Sequence, residues 1–129
     1  MVTWEEVKDF IRSNYKLQSD EGDFFSLVFE LDNDRSQLVI IRKDQTPNGD
    51  IWIQMASPVG IIEQDKLNDA LEMLDGMICG GLIKSGEKYF VRHCMPIGDI
   101  SPEEFATPLY FISGIADDLE QRFIGGDEQ

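Results

Sequence analysis

Phe24-Phe25-Ser26-Leu27-Val28-Phe29-Glu30-Leu31 decides the architecture. Phe25, Leu27, Phe29 and Leu31 alternate with Phe24, Ser26, Val28 and Glu30, the two-residue period of a strand with one buried face. Asp32-Asn33-Asp34 follows as a turn, because short acidic and amide side chains hydrogen-bond their own backbone and tolerate left-handed geometry. Gln37 to Lys43, rich in β-branched residues, predicts a second strand. Pro47-Asn48-Gly49 marks the next turn. Ile51 to Ser57 is a third strand, with Ile51, Ile53 and Met55 on one face and Trp52, Gln54 and Ala56 on the other.

Upstream, Thr3-Trp4-Glu5-Glu6 is a capping box, and Trp4, Val7, Phe10 and Ile11 recur at helical spacing, predicting a helix over residues 4–14. Polar Gln18 to Asp23 reads as a connection. Downstream, Pro58 and Gly60 break the sheet. Asp65 caps a second helix with Leu67, Ala70, Leu71 and Leu74 on one face, and Gly76 closes it. Met77 to Ile83 and Lys88 to Ile97 are two more strands, joined at Ser85-Gly86-Glu87-Lys88 by a type II′ turn. That register sets Cys79 opposite Cys94 and Leu82 opposite Val91, unless a bulge at Gly80-Gly81 shifts it.

Ser101-Pro102-Glu103-Glu104 is a second capping box, with proline at the first helical position. Pro108 predicts a turn and a restart at Thr107-Pro108. Leu109, Ile112, Ala116, Leu119 and Phe123 then form a stripe that Phe111 and Ile115 widen. The order α-β-β-β-α-β-β-α describes an α+β fold, an antiparallel sheet with flanking helices. Phe25, Leu27, Phe29, Ile53, Met55, Leu71, Leu74, Val91, Ile112 and Leu119 are the expected core. Residues 1–124 read as one domain and 125–129 as a flexible acidic tail.

The 129 residues carry a formal charge of −14, with 42% hydrophobic residues. Such acidity argues against binding nucleic acid or an anionic membrane, both of which would be repelled. The apolar fraction argues against disorder. No stretch approaches the roughly 20 apolar residues that cross a bilayer, and Met1-Val2-Thr3-Trp4-Glu5-Glu6 lacks the features of a leader. A cytoplasmic protein is expected. Two cysteines, Cys79 and Cys94, without a disulfide framework, fit free thiols there.

Chemical motifs are scarce. His93 beside Cys94 has the residue types of a metal site with Cys79, but zinc spacing is absent and the fourth ligand would be a distant carboxylate. Asp44 to Asp50 partly resembles a calcium loop, yet Thr46 and Met55 stand at the third and twelfth places, so a hairpin loop is the plainer reading. The pairs Glu5/Glu6, Glu103/Glu104 and Asp117/Asp118 point about 100° apart on a helix and do not converge on a substrate. There is no G-x-S-x-G, G-x-G-x-x-G or Walker loop. No catalytic, cofactor-binding or metal-ligating residue is assigned, no cofactor is expected, and the chain reads as a non-enzyme.

An apolar surplus remains. The face opposite the expected core carries Phe24, Val28 and Trp52, and in the last hairpin Ile83 and Phe90 share a face with Cys79, Cys94 and Arg92. A sheet with helices on one side shows polar residues on the other, so a half-apolar second face points to a cover: a helix, a second subunit or a bound segment. Phe24, Val28, Trp52 and Phe90 are the candidate protein-binding residues.

Tyr89-Phe90-Val91-Arg92-His93-Cys94-Met95-Pro96-Ile97, Ser101-Pro102-Glu103-Glu104, and Ile115-Ala116-Asp117-Asp118-Leu119-Glu120 running into Gly125-Gly126-Asp127 resemble the last strand and final helix of the YbjN family. The whole order of elements resembles the type III secretion chaperone-like fold. That resemblance implies a cytoplasmic, often dimeric protein that binds other proteins. The leading expectation is a non-enzymatic protein-binding module working as a homodimer. Its alternatives are a regulatory accessory protein for one folded partner, or a small-ligand or metal-dependent enzyme using His93.

Overall fold

The computed structural model describes residues 1–31 and 34–124. The elements are α1 (Trp4–Asn14), β1 (Leu17–Asp20), β2 (Phe24–Glu30), β3 (Ser36–Gln45), β4 (Ile51–Gly60), a 3-10 turn (Gln64–Lys66), α2 (Leu67–Asp75), β5 (Gly81–Ser85), β6 (Lys88–Pro96) and α3 (Pro102–Phe123). All six strands form one antiparallel sheet in the order β1-β2-β3-β4-β6-β5. The α+β order read from the sequence holds, with β1 added. The Asp32-Asn33 part of the expected turn and the expected tail at 125–129 lie outside the described residues. Asp34 has φ 59°, the left-handed geometry that turn calls for.

Both capping boxes are closed. Thr3 Oγ1 accepts from the Glu6 amide at 3.2 Å, and Ser101 Oγ accepts from the Glu104 amide at 3.1 Å. Each glutamate in turn accepts from the capping backbone, so the N-cap and N3 amides are both satisfied at each helix start.

One face of the sheet holds the core. Phe25, Leu27, Val39, Ile41, Ile53, Met55 and Val91 are fully buried against Ile11 of α1 and Leu109, Ile112, Ala116 and Leu119 of α3. Trp4 also packs there, its ring 6.3 Å from that of Phe25. Of the expected core, Phe29 and Leu74 are half-buried, and Leu71 is not core, at 47% exposed. The nine-residue α2 packs chiefly near the β5 edge of the sheet, and within that helix Ala70 alone is fully buried.

Four local expectations are corrected. First, Leu17–Asp20 is a strand rather than a connection: Arg12 Nε donates to Asp20 Oδ2 at 2.7 Å, tying β1 to α1 while β1 pairs with Phe25, Ser26 and Leu27. That contact holds the Asp20 carboxyl below its usual range.

Second, Pro58 and Gly60 stay inside β4. The β3–β4 ladder ends at Ile40↔Ala56, so the missing proline N–H interrupts nothing on that side. Ser57 Oγ donates to the Leu38 carbonyl at 2.6 Å, and buried Gln37 Nε2 donates to Ser57 Oγ and to the Pro58 carbonyl. The register toward β6 shifts between Pro58 and Gly60, a bulge at the proline.

Third, Asp65 lies within the 3-10 turn and caps nothing; α2 starts at Leu67 without a side-chain cap. Gly76 does close α2, from φ −87°. Fourth, Pro108 does not split α3, which runs unbroken from Pro102 to Phe123. An internal proline costs about 3 kcal/mol. Phe105, Leu109 and Ile112 are buried on either side of it and offset that cost by holding both halves to the sheet.

The last hairpin keeps the expected register, Leu82↔Val91, and Gly86 has the positive φ of a type II′ turn. Its first strand begins later than expected, at Gly81, so Cys79 lies outside the ladder and does not face Cys94. Gly80, at φ +91°, turns the chain away, and a Cβ there would sit 3.0 Å from Val91 Cγ1 and 3.4 Å from Ile112 Cγ2. Gly80→Ala is expected to lose about 1–3 kcal/mol from the strained backbone alone. Gly86→Ala, with nothing near its added methyl, provides the comparison without crowding. Urea unfolding of both variants measures the difference.

Candidate functional site

The other face of the sheet carries no helix among the described residues. Alternation along β2, β3, β4, β5 and β6 places Phe24, Val28, Leu38, Ile40, Trp52, Ile83 and Phe90 on it. None of these belongs to the core or packs against it. All are half-buried by their strand neighbours.

Cross-strand register builds the site. Phe24 lies opposite Arg42, Arg42 opposite Gln54, Ala56 opposite Arg92, and Ile83 opposite Phe90. Together these side chains line a groove of about 280 Å³. Arg42 Nη2 donates to Gln54 Oε1 at 3.0 Å, and Gln54 Nε2 passes the chain on to Asp44 Oδ2 at 2.9 Å, at the groove's end. The Arg92 side chain makes no hydrogen bond or ion pair among the described residues. No carboxylate lines the groove itself.

Of the four candidate residues, the structure brings Phe24 and Phe90 into this groove. Trp52 sits beside it in a second depression with Asp44, Thr46, Gln54 and Cys94. Val28 shares the face but lines neither, lying opposite Leu38. Sequence reasoning missed Ile40, Arg42 and Gln54 as site residues. Arg42 falls at the same period-2 phase as Ile40, and that phase becomes a site only once β3 is registered against β2 and β4.

His93 and Cys94, adjacent on β6, point to opposite faces: His93 pairs with Met55 on the helix side, and Cys94 with Gln54 on the open side. They cannot ligate one ion together. Among the described residues no three His, Cys, Asp or Glu side chains stand close enough to hold a metal. Burial pushes the half-buried Cys79 thiol up, which keeps it protonated and a poor nucleophile. No helix among the described residues is long and apolar enough to cross a membrane.

No family model and no curated protein matches the chain.

Proposed function

We propose that the chain is a non-enzymatic, cytoplasmic protein-binding module of the YbjN and secretion-chaperone-like class, working as a homodimer and holding a protein segment on its open sheet face. The observation that supports this reading is the helix-free face with Phe24, Ile40, Trp52, Ile83 and Phe90 on it. Fully burying an exposed side chain of this kind is favourable by about 1.5–3 kcal/mol, and covering these half-buried ones gains part of that. The dimer contact of this reading falls elsewhere, on the crossover around α2, where Ile61, Leu71 and Ile78 are exposed at 56%, 47% and 85%.

Two measurements test it. Light scattering with size exclusion is expected to give twice the 14.7 kDa chain mass, falling to one chain in Leu71→Asp. Affinity capture from native lysate should retain a defined set of proteins that Phe90→Asp loses and His93→Ala keeps. A monomer at high micromolar concentration removes the dimer. Equal capture by Phe90→Asp removes the sheet face.

A further inference from the structure

We infer that the open face recognises an anionic extended segment, one that places two carboxylates four residues apart with an apolar residue between them. This rests on the protein-binding reading of the same face and adds the chemistry of what is bound.

The chain carries 25 acidic against 11 basic side chains, yet the groove is lined by two guanidiniums and no carboxylate. Arg42 is engaged by a neutral amide, and Arg92 by no side chain or backbone group among the described residues. Both stand beside phenylalanines, and a charge-assisted pair with a carboxylate is stronger than the neutral hydrogen bonds a water or an amide offers them. Guanidinium forks also match carboxylate geometry.

Register sets the spacing. β4 separates β3 from β6, so the two arginines stand about 10 Å apart across the strands. Their partners on β4, Gln54 and Ala56, are two positions apart, a further ~7 Å along the strand. The diagonal is about 12 Å, and residues i and i+4 of an extended segment span about 13 Å on one face. The intervening i+2 side chain then rests over β4 between Gln54 and Ala56, flanked by Ile40.

A second copy of this chain is the poorer occupant. Two grooves packed about a two-fold axis bring four guanidiniums into one interface without a carboxylate from either groove to receive them.

The test uses three fluorescein-labelled peptides, SLSESLSESLS, SLSQSLSQSLS and SLSKSLSKSLS, followed by anisotropy against the full chain. The glutamate peptide is expected to bind about tenfold more tightly than the glutamine peptide, about 1.4 kcal/mol, and the lysine peptide most weakly. Raising NaCl from about 0.05 M to about 0.5 M should shrink that advantage through screening. The double variant Arg42→Gln with Arg92→Gln should bind the first two peptides equally, while Arg42→Lys with Arg92→Lys keeps most of the preference. Equal binding of the first two peptides to the unaltered chain, or an acidic preference that survives the glutamine variant, overturns the inference. In either case, binding of the glutamine peptide that Phe90→Asp abolishes leaves the protein-binding reading standing. Failure of all three peptides at millimolar concentration, with Phe90→Asp silent in lysate capture, removes both. A self-association that the glutamine variant abolishes assigns the groove to a second copy and also overturns the inference.

Discussion

Arg35→Ala is expected to destabilise the protein by about 3–5 kcal/mol, as the loss of one partner from a buried ion group does. Arg35 follows the β2–β3 turn and reaches α3, where Nε donates to Asp117 Oδ1 at 2.8 Å and Nη2 to Glu120 Oε1 at 3.1 Å. The Glu120 side chain is 0% exposed and that of Asp117 9%. Asp117 has a second donor, Gln121 Nε2 at 2.7 Å. Without the guanidinium, two carboxylates one helical turn apart stay buried beside each other and lose the charge that Arg35 places between them. Arg35→Lys keeps the charge but not the fork and should fall between the two. Combining Arg35→Met with Glu120→Gln should recover part of the loss, because the cost lies in the abandoned carboxylate rather than in the lost contact. Denaturant midpoints of the four proteins measure this. Arg35→Ala within half a kilocalorie of the parent would mean that the group is solvated rather than buried.

Leu119→Ala should cost about 2–5 kcal/mol, the range for a fully buried leucine whose cavity cannot collapse completely. Leu119 is 0% exposed in the stripe of α3 that covers the sheet. Leu71→Ala is its internal control, measured at protein concentrations low enough to leave single chains: the same chemistry at a half-solvated position of α2 should then change stability by less than about half a kilocalorie. Comparable losses at the two sites would show that α2, not only α3, is packed into the core. Urea unfolding followed by circular dichroism separates these outcomes.

The contrast between those leucines shows what was legible in the sequence. Both sit in apolar stripes at helical spacing, and periodicity alone cannot say how wide a surface the helix meets. The long α3 lies across the middle strands and buries its stripe, whereas the short α2 packs chiefly at the β5 edge. Capping boxes at Thr3 and Ser101 were readable because their partners lie three residues away. Strand β1 was not, because it is short and polar and its pairing is made with a partner strand beyond Gly22. Pro58 and Pro108 misled for one reason. Local rules count the missing N–H, but at Pro58 the β3–β4 ladder has already ended at Ala56, and at Pro108 distant core contacts offset the loss. For the site, two-residue alternation placed Phe24, Val28, Trp52 and Phe90 on the open face. It did not assemble the groove, since the approach of Arg42 and Arg92 is a product of register across three strands.

The two outer strands carry a separate consequence for how this protein meets others. β1 has four residues and an irregular register, and β5 has five before its hairpin turn. A long, flat outer strand offers a row of unpaired amides and carbonyls on which further chains stack without limit. Here each margin offers too few such groups to seed that stacking, and the irregularity in β1 interrupts its row. A chain with an apolar surface on one side of its sheet is thereby kept from growing into fibrils sideways. On the proposed reading, a bound segment lies across the broad face rather than adding to either margin.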